Sequence, residues 1–185
     1  MTEILFIRHG ETDCNKKHLY YGHLNPSLNE TGINQLKNTK KKLEKMNEKI
    51  DIIFSSDLKR CRESLEILGI DKNIKQHFSE NLRELNFGIL EGKTYKEIEN
   101  QFPHYVNEMK NNWRNFKAEG GESLSDLQKR SVAKINKMLA KVKVCYLFNC
   151  LFLPINDKFK HRKDTIYLDF CKTSPPISPW NITRE

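Results

Sequence analysis

Near its start, the chain carries a short apolar run that ends directly on an arginine, a histidine and a glycine. Residues 3–8 (EILFIR) are mostly aliphatic, β-branched and aromatic, and residues 9 and 10 are His and Gly. Such a run predicts a buried strand, and the His-Gly pair predicts that a loop follows it at once. This feature constrains the fold most, because a strand buried on both faces needs a covering layer on each side.

Strand and helix patterns alternate along the rest of the chain. In order, we predict a helix at 33–48, a strand at 51–54, a helix capped within 55–57 and ended by Gly69, a strand at 74–78, helices that begin at Thr94 and Ser123, and a strand at 165–170. Such alternation is typical of α/β folds. We predict one domain over residues 1–185, a three-layer sandwich with a mostly parallel central sheet flanked by helices.

The composition excludes several classes of protein. The chain has 32 Lys+Arg against 24 Asp+Glu, for a formal charge of +8, but its densest basic stretch at 37–45 alternates with apolar residues at helical spacing. That pattern indicates a solvated helix face, so we expect no nucleic-acid partner. The longest apolar run, 144–155, falls short of the ~20 residues that span a bilayer. We expect a soluble, cytoplasmic protein with no membrane partner, and the positive charge favours encounter with anionic substrates.

The five cysteines and six histidines show no metal-ligand spacing, so we expect no metal and no cofactor. Instead, two predicted strand ends carry groups that suit a phosphate monoester. Arg8 and His9 follow the first strand, and Arg60 lies in the first turn of the helix after the second strand. Guanidinium groups and a helix N-terminus bind a dianion, and a neutral imidazole can accept a phosphoryl group.

Five motifs resemble those of the histidine phosphatase (phosphoglycerate mutase-like) superfamily, in the same order. They are residues 8–12 (RHGET) with Asn15, residues 21–32 (YGHLNPSLNETG), residues 55–64 (SSDLKRCRES), residues 82–92 (LRELNFGILEG) and residues 120–123 (GGES). The resemblance extends from residue 3 to about residue 140. It implies the phosphoglycerate mutase-like fold.

The resemblance also implies a role for each matched residue. It places the phosphate-accepting nucleophile at His9, the proton donor to the leaving group at Glu84, and the phosphate-binding arginines at Arg8 and Arg60. A carboxyl group in that role must hold a proton near pH 7, which a neighbouring anion favours. For four further residues the resemblance implies weaker roles: Asn15 as a phosphate contact, and Gly22, Glu122 and Ser123 as possible substrate contacts. Roles in turns and helix caps explain these four residues equally well.

One part of the family pattern is absent from the sequence. The family carries a second histidine in an S/T-H-G-G turn, after a strand that follows the helix beginning near Ser123. No histidine lies there, and residues 145–149 resemble the helix that normally comes after the turn. We therefore expect the segment around 141–150 to lack this strand and turn, unless residues 144–153 fill the strand position. The later His161 has charged neighbours and is expected to be exposed to solvent.

The resemblance implies a metal-independent phosphomonoester hydrolase that forms a phosphohistidine and acts on a small phosphorylated metabolite. The chain's size, residues 21–23 (YGH) and the spacing of Trp113 from residues 120–123 look most like α-ribazole phosphatases of cobalamin biosynthesis. A phosphoglycerate mutase and a broad-specificity small-molecule phosphatase are alternatives. A catalytically impaired relative that only binds phosphorylated ligands is a further alternative, because the second histidine is missing. The oligomeric state stays open.

Overall fold

The computed structural model describes residues 3–46, 50–139, 144–149 and 165–167. They form a five-stranded sheet in which every neighbouring pair is parallel. The strands are β1 (Glu3–Arg8), β2 (Ile52–Ser55), β3 (Lys75–Phe78), β4 (Val144–Asn149) and β5 (Thr165–Tyr167), in the spatial order β3-β2-β4-β1-β5. The predicted α/β class with a parallel sheet is confirmed. The predicted strand at 165–170 is confirmed for its first three residues, and the other three lie outside the described residues.

Six α-helices occur within the described residues. They are α1 (Asp13–Lys16), α2 (Glu30–Met46), α3 (Lys59–Leu68), α4 (Tyr95–Gln101), α5 (Pro103–Asn111) and α6 (Leu124–Leu139), with single 3₁₀ turns at Glu80–Leu82 and Gly88–Leu90. None of these helices is both long and apolar enough to cross a bilayer. A central apolar cluster joins β1 and β2 to α2 and α3 through the buried side chains of Leu5, Ile7, Leu36, Ile53, Leu65 and Leu68. Burial of each contributes roughly 1.5–3 kcal/mol, which fixes the two strands relative to α3.

The two ends of α3 and the start of α4 can be compared with the predicted helix caps. Leu58 precedes α3 and no side chain caps that helix, so the expected cap within 55–57 is wrong. Ser56 instead accepts a hydrogen bond from the Leu58 N–H at 3.4 Å, outside the helix. Gly69 ends α3 with φ of 60°, as predicted, because glycine adopts this left-handed conformation without strain. The capping box of Thr94 and Glu97 at the start of α4 is confirmed.

The largest correction concerns β4, which lies between β1 and β2. Its register places Arg8 beside Asn149 and Ser55 beside Phe148. The expectation that residues 141–150 lack a strand is therefore wrong, as is the likeness of 145–149 to a helix. Without β4, backbone groups along β1 and β2 would lack partners, and its apolar and aromatic residues suit a central strand. The alternative that the apolar run fills this position is confirmed for 144–149, while the following turn and His161 lie outside the described residues.

Candidate active site

His9 lies directly after β1, at the edge where the parallel strands end, and only 3% of it is exposed. Its Nδ1 lies 2.7 Å from the carbonyl oxygen of Gly10. Because a carbonyl oxygen only accepts, the hydrogen bond assigns the ring proton to Nδ1 and the lone pair to Nε2. Burial lowers the pKa of His9 well below its usual range, and the positive charges of Arg60 and Arg8 lower it further. His9 is therefore a neutral imidazole whose Nε2 can act as a nucleophile.

The loop after β1 is bound to α3 by a chain of hydrogen bonds. The Gly10 N–H donates to Ser64 Oγ at 3.3 Å, and Ser64 Oγ donates to the Arg60 carbonyl at 2.6 Å. Gly10 also approaches α2 so closely that a Cβ there would lie 2.6 Å from the Gly32 carbonyl oxygen. Only glycine fits at this contact. The His9 loop is thus held rigidly against both helices of the central cluster.

Arg60 lies in the first turn of α3, as predicted, and is 1% exposed. Its Nη1 donates to the Leu24 carbonyl at 2.8 Å, and its Nη2 donates to the Gly22 carbonyl at 2.9 Å. These bonds offset part of the cost of burying a charge. The guanidinium carbon also lies 4.9 Å from the centre of the Tyr21 ring, which in turn meets the His9 ring edge-on at 6.5 Å. The structure therefore brings Arg60 and His9 together around Tyr21, and half-buried Arg8 adjoins them.

Gly22 contributes backbone and space to the site. A Cβ at Gly22 would lie 1.5 Å from the Leu85 carbonyl oxygen, so no other residue fits without moving that segment. This contact places the segment of the predicted proton donor, Glu84, beside the loop that binds Arg60. Glu84 is half-buried, and its Oε1 accepts a hydrogen bond from the Leu85 N–H at 3.0 Å. The segments of all four principal candidates are thus neighbours.

A bidentate ion pair fixes the Glu84 segment to the loop between β2 and α3. Arg83 Nε donates to Asp57 Oδ1 at 2.7 Å, and Arg83 Nη2 donates to Asp57 Oδ2. The hydrogen bond from Arg83 holds the pKa of the Asp57 carboxyl below its usual value. Sequence reasoning missed this pair, because the two residues lie 26 positions apart in separate motifs.

Asn15 and Ser123 both take part in capping boxes. Asn15 Oδ1 accepts from the Thr12 N–H at 2.9 Å at the start of α1, so its amide NH₂ is the group that could donate to an anion. Ser123 Oγ accepts from the Asp126 N–H at 3.1 Å at the start of α6, and its own N–H donates to the Asp126 carboxylate. These contacts support the cap alternative for both residues, and a phosphate contact by Asn15 stays a prediction.

Glu122 is held by protein groups on both carboxylate oxygens. Its Oε1 accepts from the Asn86 N–H at 3.0 Å and from Arg130 Nη2, and its Oε2 accepts from Arg130 Nε at 2.9 Å. This pairing supports the structural alternative for Glu122. No group of three or more His, Cys, Asp or Glu side chains within the described ranges is placed to hold a metal ion.

The neutral state of His9 predicts how stability depends on pH. An unfolded histidine has a pKa near 6.5, whereas the pKa of folded His9 lies well below that value. Below pH 6.5 the unfolded state therefore binds a proton that the folded state does not, and the free energy of unfolding falls. His9→Gln should remove this part of the acid-side decline without changing the slope above pH 7, measured by urea unfolding from pH 8 to 5. Exposed His104→Gln is the control; equal slopes for wild type and His9→Gln would contradict the neutral assignment.

Comparison with known proteins agrees with this geometry. Residues 4–144 match the family model of the histidine phosphatase superfamily (branch 1). The chain is 32% identical over 138 residues to phosphoglycerate mutase-like protein 4 of Arabidopsis thaliana, covering 74% of this chain and 60% of that protein. It is 29% identical over 141 residues to a broad-specificity phosphatase of Saccharomyces cerevisiae, covering 75% of this chain and 58% of that one. The chain thus spans about three-fifths of the length of these curated relatives.

Among solved structures, the fold is similar to that of a putative α-ribazole-5′-P phosphatase from Escherichia coli. The TM-score is 0.70 at 23% sequence identity, over 78% of this chain and 72% of that chain. At this level of identity the similarity shows the fold.

Proposed function

The chain belongs to the histidine phosphatase superfamily (branch 1), and we propose that it hydrolyses phosphate monoesters through a phosphohistidine at His9. The observation that carries the proposal is the buried, neutral imidazole with its Nε2 lone pair, next to the positive charges of Arg8 and Arg60. A neutral nucleophile beside two fixed cations suits attack on a dianionic phosphoryl group.

In the first step, Arg8 and Arg60 hold the phosphoryl oxygens while His9 Nε2 forms a bond to phosphorus. The bond from phosphorus to the ester oxygen breaks, and its electron pair stays on that oxygen. The leaving oxygen takes a proton from the Glu84 carboxyl group and departs as an alcohol. In the second step, water attacks the phosphohistidine, Glu84 accepts a proton from it, and the electron pair of the broken N–P bond returns to Nε2. Inorganic phosphate then leaves.

For the substrate, we propose a small phosphorylated metabolite that carries an aromatic base, α-ribazole 5′-phosphate of cobalamin biosynthesis, in the cytoplasm. Two solved structures of similar fold that are described as α-ribazole phosphatases support this choice. Phosphoglycerate mutation and broad-specificity hydrolysis remain alternatives, because relatives described by both names match the chain.

The test is phosphate release from a panel of monoesters in EDTA, with α-ribazole 5′-phosphate, 3-phosphoglycerate and 4-nitrophenyl phosphate among them. We expect turnover that survives the chelator, because arginines supply the positive charge, and fastest turnover of α-ribazole 5′-phosphate. Activity that is lost in EDTA and restored by a divalent metal would contradict the mechanism. Interconversion of phosphoglycerates without net phosphate release would favour the mutase.

A second candidate is a relative that binds phosphorylated ligands without turning them over. The observation that favours it is that β4 ends at Asn149, beside Arg8, and that no residue from 105 to 160 is a histidine. The pocket would then lack one donor to the transition state. Calorimetric binding of orthovanadate or phosphate, with no phosphate release from any ester and no phosphorylated His9, would favour this candidate over the hydrolase.

A further inference from the structure

Arg130, in the middle of α6, binds main-chain carbonyl groups of the segment that leads up to and includes Glu84. Its Nη1 donates to the carbonyl oxygens of Asn81 at 2.9 Å and Arg83 at 3.0 Å, and its Nη2 donates to that of Glu84 at 2.9 Å. One guanidinium group thus holds three carbonyl groups of the segment that carries the proposed proton donor. The partners lie 46–49 positions away in the sequence.

The same guanidinium group is fixed from its other side by Glu122. That carboxylate accepts from Arg130 Nε and Nη2, and it also accepts from the Asn86 N–H at 3.0 Å. The two side chains are 19% and 17% exposed, so water weakens the pair less than it weakens a surface ion pair. The main chain is therefore held before Glu84, at Glu84 and two residues after it.

We propose that Arg130 is a positioning residue for proton transfer from Glu84, an inference that rests on the proposed hydrolase function. A carboxyl group donates well only when it lies within hydrogen-bond distance of the leaving oxygen, and a 1 Å displacement can cost about 10²-fold in rate. The planar fork of arginine can bind several carbonyl groups at once in fixed directions, which the single ammonium of lysine cannot. Arg130 contacts no phosphoryl oxygen in this role; it acts through Glu84.

The identity of the leaving group separates this role from general structural support. Nitrophenolate is a stable anion and leaves without a proton, whereas the alkoxide from an alkyl ester needs one. A displaced Glu84 should therefore slow hydrolysis of glycerol 2-phosphate much more than that of 4-nitrophenyl phosphate. A general loss of structure would slow both esters by the same factor.

The experiment compares kcat/KM for these two esters in wild type, Arg130→Gln and Arg130→Lys. We expect Arg130→Gln to lose about 10- to 100-fold with glycerol 2-phosphate and only about 2-fold with 4-nitrophenyl phosphate. Arg130→Lys keeps the charge and should show the same bias to a smaller extent, so it carries the test if the glutamine variant fails to fold.

Two control variants separate the role of Arg130 from the loss of a positive charge and from a loss of stability. Arg114→Gln removes one exposed guanidinium group, and Ile135→Ala weakens the buried face of the same helix. Neither should change the ratio of the two rates. Equal losses for both esters in Arg130→Gln would overturn the positioning role alone. A wild-type chain with no turnover of either ester and no phosphorylated His9 would overturn the proposed function, and the role of Arg130 with it.

Discussion

Replacement of His9 by alanine should abolish turnover, with a loss of at least about 10⁴-fold in kcat. The variant lacks the Nε2 lone pair that receives the phosphoryl group, and neither arginine can take its place because both stay protonated. The loop keeps its anchor to α3 in the variant, because the Gly10 main-chain N–H donates to Ser64 Oγ without help from the His9 side chain. The measurement is phosphate release together with quenching in alkaline detergent after addition of ³²P-labelled ester. The wild-type chain should retain a label that survives base and is lost in acid, and the alanine variant should lack it.

The matched control is His104→Ala, which removes an exposed histidine on α5. It should keep both turnover and the labelled intermediate. Undiminished turnover in His9→Ala would move the nucleophile to another residue. Loss of turnover with a retained acid-labile label would assign the phosphorylated group elsewhere while leaving His9 another role in the reaction.

The sequence predicted those parts of the fold that depend on neighbours along the chain. The apolar run of β1, the glycine that ends α3 and the capping box of α4 are local signals, and each is confirmed. The sequence indicated β4 only as an alternative, because its main partner β1 lies about 140 positions away in the sequence. Such pairing is decided by burial between two strands, which no short window of sequence contains.

The same holds for the candidate site, where residues within motifs were predicted and contacts between distant segments were not. Motif positions identified His9, Arg60 and Glu84, and the structure places their segments together. Arg130 had no such signal, because a charged residue within an amphipathic helix usually belongs to its solvated face. Its role depends on main-chain carbonyl groups of another segment. Every residue has such a group, so the sequence does not indicate which ones Arg130 binds. Tyr21 likewise occurred only as part of a motif, and its contacts with His9 and Arg60 became apparent in the structure.

Arg60→Gln should lower kcat/KM by about 10²–10³-fold, the usual cost of one preorganised donor to a transition state. The effect has a second component, because Arg60 also holds the carbonyl groups of Gly22 and Leu24. Leaving a buried acceptor without its donor costs about 1–3 kcal/mol, so the free energy of unfolding should fall as well. Gly22 touches Leu85, and loosening of its loop would therefore reach the Glu84 segment.

The exposed Arg62→Gln, two residues further along α3, is the matched control. It removes the same charge from the same helix, and we expect near-normal turnover. The measurements are kcat/KM, the affinity for orthovanadate by calorimetry, and urea unfolding. Since Arg60 lowers the pKa of His9, the glutamine variant should also raise that pKa, as followed by NMR titration of the imidazole. If Arg60→Gln weakens folding but leaves vanadate affinity and the His9 titration unchanged, Arg60 supports the loop of residues 22–24 and takes no part in binding the anion.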